Sequence, residues 1–202
     1  LMPLRARRTA QGFEVMFAVH FLANRLLLER WLADGVIRPA VPGTQRPRVL
    51  FVSSEAHRSA SPIDFERFGE FKDYGLRDGM AHYAASKLHL CTFASELSRR
   101  LNPGPDVAVA VHSLCPGPVA SGIAREAPVW LKPIVQPALR LLFRSPEAAA
   151  EPVVYLACSQ RIEERTGLYL HMMREKAVAP EAASPQNGAL LWERSAELLK
   201  PH

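Results

Sequence analysis

A tyrosine and a lysine stand four residues apart in the stretch His82-Tyr-Ala-Ala-Ser-Lys87. The surrounding segment, Gly79–Leu101, is predicted to form a helix, and side chains four residues apart project from the same face of a helix. Free tyrosine has a pKa of about 10, too high for efficient acid–base catalysis near neutral pH, but a nearby ammonium lowers it. Tyr83 and Lys87 are therefore candidates for proton transfer. Taken alone, this common spacing is more typical of a tyrosine packed at the edge of the core beside a solvated lysine.

Helices and short strands alternate along the chain in our prediction. Continuous apolar runs of strand length are typical of strands that are covered on both faces. Ser145, Pro146 and Glu147 form the start signal of a helix, with an N-cap, a first-turn proline and a first-turn acid. The predicted elements are helices at 12–33, 79–101, 145–158 and 189–199 and strands at 49–52, 107–111 and 166–170. This alternation predicts an α/β fold with a parallel sheet, and residues 55–78 receive no assignment.

Polar or turn-forming residues follow the first two predicted strands. Ser53 and Ser54 stand at the C-terminal end of the first, and Pro116-Gly117 ends the apolar run of the second. In open parallel sheets, ligands bind at the carboxyl ends of the strands, and glycine lets a ligand approach the backbone closely. Both turns are equally compatible with ordinary strand ends, because a serine can also bond its own backbone.

These motifs, in this order, resemble the short-chain dehydrogenase/reductase family. The segment Ile63-Asp64-Phe65, between Ser54 and the Tyr83–Lys87 pair, looks most like the retinol-dehydrogenase-type branch of that family. The resemblance runs from about Met2 to Leu198. It implies a Rossmann-like sheet with flanking helices, in which residues 1–202 form the C-terminal part of one domain, supply its last three strands and lack its N-terminal βαβ units.

The resemblance implies an NAD(P)-dependent oxidoreductase that interconverts an apolar alcohol and its carbonyl compound. Tyr83 would be the acid/base of the reaction. Lys87 would lower the pKa of Tyr83 and bond the nicotinamide ribose, and Ser54 would hold and polarise the substrate oxygen. The coenzyme would be NADP or NAD, with NADP slightly favoured by the resemblance.

A second set of residues would bind the nicotinamide end of the coenzyme together with Tyr83 and Lys87. It is the Pro-Gly-x-Val-x-Thr-like turn that contains Pro116, Gly117, Val119 and Ser121, in which serine replaces the usual threonine. The apolar segment Trp130–Phe143 is expected to form a lid over the substrate. A segment that is permanently packed, or used as a dimer or membrane contact, remains the alternative for this stretch.

The sequence departs from the family pattern in two places. His20 stands where the family has an asparagine that helps to hold a water in the proton relay; a histidine can donate or accept a hydrogen bond, so His20 either substitutes for it or marks weakened catalysis. The Gly-rich turn that receives the pyrophosphate at a helix N-terminus does not occur in this sequence. We therefore expect a fragment of a longer enzyme, inactive by itself.

The composition excludes several classes of function. Hydrophobic residues make up 48% of the chain and charged residues 22%, as in ordinary globular proteins, and the net charge of +5 forms no basic stripe of the kind that binds nucleic acid. Three widely spaced cysteines favour a reducing compartment, and Arg25 interrupts the best candidate for a membrane span. We expect a cytoplasmic protein that binds no metal, with peripheral contact to a membrane and homo-oligomerisation left open.

Two other functions compete with the oxidoreductase hypothesis. The first is a non-catalytic remnant or binding module, which the absent Gly-rich turn and His20 favour. The second is serine hydrolysis by Ser54 and His57, which the sequence supports poorly because it has no Gly-x-Ser-x-Gly elbow.

Overall fold

A computed structural model of the protein describes residues 2–3, 5–41, 43–119 and 143–200. The helices are α1 (Val15–Phe17), α2 (Ala23–Ala33), α3 (Gly79–Leu101), α4 (Pro146–Cys158), α5 (Pro180–Ala183) and α6 (Pro185–Leu198). A π-helical turn, Ala18–Leu22, joins α1 to α2, and 3₁₀ helices span Glu55–Ser59 and Gln160–Ile162. The strands are β1 (Arg48–Val52), β2 (Ala110–Cys115), β3 (Tyr169–His171) and β4 (Arg174–Lys176).

The four described strands form one sheet in the order β1-β2-β3-β4. The first three are parallel, with Val52 opposite Leu114 and Leu114 opposite Leu170, whereas β4 returns antiparallel to β3. The predicted α/β fold with a parallel sheet is thus confirmed, and the antiparallel fourth strand was not anticipated. β1 lies at one edge of the described sheet.

Helix α3 lies at the centre of the core. Thirteen of its residues are buried, and the main apolar cluster joins it to the sheet and to α2 and α6. Phe93 packs edge-on against Phe21 and Phe51, with ring centroids 5.9 and 5.7 Å apart, and stacks on Trp192. A helix fixed so firmly gives Tyr83 and Lys87 a defined position relative to the carboxyl end of β1.

The predicted helix boundaries are correct where a strong local signal exists. Helix α3 has the predicted limits, and the hydroxyl of Ser145 accepts the backbone N–H of Ala148 at 3.2 Å to start α4 as predicted. The first helical segment begins at Val15 rather than at residue 12, because the carboxylate of Glu14 caps the N–H groups of Met16 and Phe17 at 2.7 and 3.0 Å. It ends at Ala33 as predicted.

Three further predicted starts are wrong, and side-chain hydrogen bonds to the backbone explain them. The second strand also ends later than predicted, at 115 rather than 111. The second strand begins at 110, not 107, because the Asn102 side chain accepts the N–H groups of Ala108 and Val109 at 2.7 and 3.2 Å and so holds the approach to β2 in a loop. The third strand begins at 169, not 166, since the Thr166 hydroxyl, not its backbone, accepts the N–H of Val111. The last helix begins at 185, not 189, because Ser184 caps it.

Candidate active site

The structure brings Ser54 and Tyr83 together. Ser54 follows the last residue of β1 by two positions and Tyr83 lies in the second turn of α3, so both stand at the carboxyl end of the sheet. Burial raises the pKa of the Tyr83 phenol, and a hydrogen bond from the Ser54 side chain opposes that rise. Since the Ser54 oxygen also accepts the backbone N–H of Ala56 at 3.2 Å, the hydroxyl proton remains for the phenol or for a substrate oxygen.

Lys87 lies one helical turn beyond Tyr83 and is 9% exposed. Its ammonium donates to the carbonyl oxygen of Val52 at 3.0 Å and lies 5.7 Å from the centroid of the Tyr83 ring. Burial lowers the pKa of Lys87. In this structure burial is the main influence on the pKa of Tyr83, and the Lys87 ammonium bonds the backbone of β1; the predicted effect of Lys87 on the phenol stays a prediction.

His20, in the π-helical turn, contacts helix α3 at Tyr83 and Ser86. Its Nδ1 lies 2.9 Å from the hydroxyl oxygen of Ser86, and its ring packs edge-on against Tyr83 with centroids 5.8 Å apart. The Ser86 hydroxyl donates its only proton to the carbonyl oxygen of Tyr83 at 2.7 Å, so Nδ1 of His20 must be the donor to Ser86. His20 therefore supports the turn of α3 that carries Tyr83.

The Pro-Gly turn follows β2, next to the end of β1. Gly117 has a φ of +83°, and a Cβ there would lie 3.2 Å from Cγ of Met172 and 3.3 Å from Cδ of Arg144, so both backbone and space require glycine. Arg144 donates to the carbonyl of Pro116 at 3.2 Å and pairs with Val119 in an isolated bridge. Ser121, and the predicted lid except for its last residue, lie outside the described residues.

Several residues around Ser54 that hold it and its neighbours in place were not predicted from the sequence. Ser53 contacts the thiol of Cys91 at 3.0 Å, and Glu55 accepts the hydroxyl of Tyr169 at 2.8 Å. His57 bonds the backbone carbonyl of Ser54 at 2.7 Å rather than its hydroxyl, so the two do not form a nucleophile–base pair of the hydrolase type. Contacts with a partner more than a hundred residues away, such as Glu55 with Tyr169, leave no signal in local spacing.

A separate cavity of about 530 Å³ lies beside another face of α3. Its lining includes Glu14, Phe68, His82, Ser86 and His89, but not Ser54, Tyr83 or Lys87. The carboxylate of Glu14 already accepts two backbone N–H groups and the hydroxyl of Tyr74, and burial lowers the pKa of His89 to about 4. A ligand there would meet no unpartnered carboxylate at Glu14 and an uncharged His89.

The described part of the chain has neither a cluster of metal-ligating side chains nor a helix that could span a membrane. No group of three or more histidine, cysteine, aspartate or glutamate side chains in that part is arranged to hold a metal ion. None of the helices described has both the length and the apolar character needed to cross a bilayer.

Comparison with curated proteins finds retinol dehydrogenases. The chain is 35% identical over 200 residues to retinol dehydrogenase 13 of Mus musculus, covering 95% of this chain and 55% of that protein. It is 31% identical to retinol dehydrogenase 14 of Mus musculus, covering 93% and 53%, and 33% identical to dehydrogenase/reductase SDR family member 13 of Bos taurus, covering 95% and 48%. The chain spans about half the length of these curated relatives. No family model matches it.

Comparison with solved structures supports the fold. The crystal structure of an uncharacterized protein from Mycobacterium paratuberculosis superposes with a TM-score of 0.64 at 21% identity, covering 96% of this chain and 61% of that one. Identity at this level shows the fold alone, which is the Rossmann-like α/β arrangement predicted above. In sequence, the chain is similar to retinol dehydrogenases and to a member of the short-chain dehydrogenase/reductase family, and the predicted resemblance is confirmed.

Proposed function

We propose that the chain is the C-terminal part of a Rossmann-like domain that catalyses NAD(P)-dependent interconversion of an apolar alcohol and its carbonyl compound. The observation that carries this proposal is the meeting of Ser54 and Tyr83 at the carboxyl end of β1, with Lys87 one helical turn away. The homologues carry oxidoreductase names, and two of these, retinol dehydrogenase and polyprenol dehydrogenase, refer to apolar alcohols.

Proton transfer at the substrate oxygen is assigned to Tyr83. In alcohol oxidation its phenolate accepts the hydroxyl proton, and in carbonyl reduction its phenol donates one to the oxygen. Ser54 donates a hydrogen bond to the same oxygen, without losing its proton, and stabilises the charge that develops there. The nicotinamide, when bound, accepts or supplies the hydride.

The donors present fit the nicotinamide end of the coenzyme. The Tyr83 hydroxyl and the Lys87 ammonium are suited to a ribose, and the backbone of the Pro116–Val119 turn, held open by Gly117, lies at the end of the adjacent strand. Lys87 would exchange its bond to the Val52 carbonyl for one to the ribose. The sequence holds no Gly-rich turn for the pyrophosphate, so the choice between NADP and NAD rests on residues not found in it.

The free thiols of Cys91, Cys115 and Cys158 favour a reducing compartment such as the cytoplasm. An apolar alcohol partitions into lipid, so we infer that the enzyme acts at, or close to, a membrane surface.

The non-catalytic alternative is favoured by His20 at the position of the relay asparagine.

The test is direct measurement of coenzyme binding and turnover in the natural protein, produced with any sequence that precedes residue 1. We call this protein the natural chain. We expect calorimetric titration with NADPH or NADH to give micromolar affinity, and all-trans-retinal to be reduced to retinol as the reduced coenzyme is consumed, with retinol separated and quantified by chromatography. Binding without turnover of retinal or of a set of aliphatic aldehydes would support the non-catalytic alternative. The 202-residue chain serves as the control and is expected to bind neither coenzyme tightly.

His20→Asn is expected to keep the rate within about threefold of the wild type or to raise it. The asparagine amide can donate to Ser86 in place of Nδ1 and restores the relay residue of the family. His20→Phe, the matched comparison, removes the donor and should lower the free energy of unfolding by about 0.5–1.5 kcal/mol. Steady-state rates and thermal unfolding measure both; a tenfold loss of rate in His20→Asn would show that the imidazole itself is needed.

A further inference from the structure

His57 joins the end of β1 to a distant segment of the chain. It lies in the 3₁₀ helix Glu55–Ser59, and its side chain is nearly inaccessible, with the residue 1% exposed. Its Nδ1 lies 2.7 Å from the carbonyl oxygen of Ser54, and its Nε2 lies 3.1 Å from the backbone nitrogen of Ala179, the residue before α5. Both ring nitrogens are therefore occupied by backbone groups.

The two partners assign the proton on the ring. The N–H of Ala179 can only donate, so Nε2 must accept it through a lone pair. The carbonyl of Ser54 can only accept, so Nδ1 must carry the proton. Burial lowers the pKa of His57, which favours the same uncharged form. The contacts thus select one of the two neutral tautomers.

The neighbours of His57 hold it against the β3–β4 hairpin. Its ring packs edge-on against Tyr169 at 5.0 Å between centroids. The Tyr169 hydroxyl and the Lys176 ammonium both donate to Glu55, at 2.8 and 2.9 Å. Although burial raises the pKa of Glu55, these hydrogen bonds bring it down to about 2, so the carboxylate stays charged and bonded. Residues on the C-terminal side of Ser54 are thereby tied to β3 and β4.

Ser54 has little freedom left once these bonds are made. Its backbone is extended, with φ −156° and ψ 149°, and the bond from His57 restrains the peptide group that follows it. Its hydroxyl oxygen accepts from Ala56, which orients the hydroxyl proton. We infer that His57 is a positioning residue that, as the neutral Nδ1–H tautomer held by Ala179, fixes Ser54 for its bond to Tyr83. This inference rests on the proposed function, in which Ser54 and Tyr83 share the substrate oxygen.

Nuclear magnetic resonance of the natural chain tests the inference without any assay of turnover. Labelling with ¹⁵N-histidine should show His57 with a protonated Nδ1 and an unprotonated Nε2 at pH 7. Labelling with ¹³Cζ-tyrosine should show the Tyr83 resonance moved by His57→Phe in the same direction as by Ser54→Ala. His57→Asn, whose amide can still donate to the Ser54 carbonyl, should bring the resonance most of the way back to the wild-type position.

The matched control is His112→Phe. His112 is also 1% exposed and also accepts a backbone N–H, from Leu168 at 3.3 Å, but it does not contact Ser54. This variant should leave the Tyr83 resonance in place. An Nε2–H tautomer of His57 in the wild type, or a Tyr83 resonance that responds to Ser54→Ala but not to His57→Phe, would overturn the inference and leave the proposed function standing. A resonance unmoved by Ser54→Ala would overturn both.

Discussion

Tyr83→Phe in the natural chain is expected to lower turnover by about 10²–10⁴-fold, the contribution typical of a general acid–base group. The ring keeps its edge-on contact with His20, at 5.8 Å between centroids, so the fold around it should persist. Only the transferable proton and the bond with Ser54 are lost. Coenzyme affinity should stay within about threefold, because one hydrogen bond to the ribose contributes little net free energy. Steady-state kinetics and calorimetry measure the two quantities.

The control for this substitution is Tyr74→Phe. Tyr74 is a buried tyrosine with its hydroxyl 2.8 Å from Glu14, and it lies outside the Ser54–Lys87 group. It should cost stability and little activity. A Tyr83→Phe enzyme that keeps more than half of the wild-type rate would show that another group transfers the proton.

The elements of this fold could be predicted where the sequence carries a local signal. Helix α3 has an apolar face over six turns and a proline-rich stop, and α4 has a serine cap, so both were located closely. The errors at β2 and β3 arise from Asn102 and Thr166, whose side chains take over backbone hydrogen bonds. Whether a side chain replaces a backbone group as a hydrogen-bond partner depends on the tertiary arrangement. Here that arrangement brings the Thr166 hydroxyl to within 3.0 Å of the nitrogen of Val111.

The residues of the candidate site likewise fall into those that local sequence patterns predicted and those that only the structure revealed. Ser54, Tyr83 and Lys87 were found because a strand end and a helical spacing of four residues are local patterns. The support behind Ser54 was missed because His57 and Glu55 bond Ala179 and Tyr169, which are 122 and 114 residues away in sequence. His20 was found as a departure from the family motif, but its bond to Ser86 required the structure.

Lys87→Met separates stability from catalysis. Keeping an ammonium buried is unfavourable, and among the described residues its one hydrogen-bond partner is the carbonyl of Val52. Methionine has a similar length and no charge, so the loss of this one hydrogen bond is offset by removal of the buried charge. We therefore expect the free energy of unfolding at pH 7 to be unchanged within about 1 kcal/mol or to increase.

The shifted pKa of Lys87 also predicts how the free energy of unfolding changes with pH. The pKa of Lys87 is lower in the folded than in the unfolded protein, where it is about 10.5, so between these two values the unfolded state binds more protons. Stability contributed by Lys87 must then rise with pH through that interval. Lys87→Met should lack this rise, whereas Lys72→Met, a surface substitution, should retain it. Denaturant unfolding from pH 7 to pH 10 provides the comparison.

Turnover should fall in Lys87→Met, although the free energy of unfolding is unchanged or higher. If the ammonium moves from Val52 to the coenzyme ribose in the working complex, it comes to stabilise the Tyr83 phenolate, and its removal raises the pKa of that phenol. The rate of alcohol oxidation at pH 7 should fall by about 10²-fold or more, with the rising limb of the pH–rate profile displaced to higher pH. A stable variant with a wild-type profile would mean that Lys87 stays on the Val52 carbonyl throughout the reaction. The buried lysine would then serve only to bond the end of β1, and the Ser54 hydroxyl would be left to stabilise the Tyr83 phenolate.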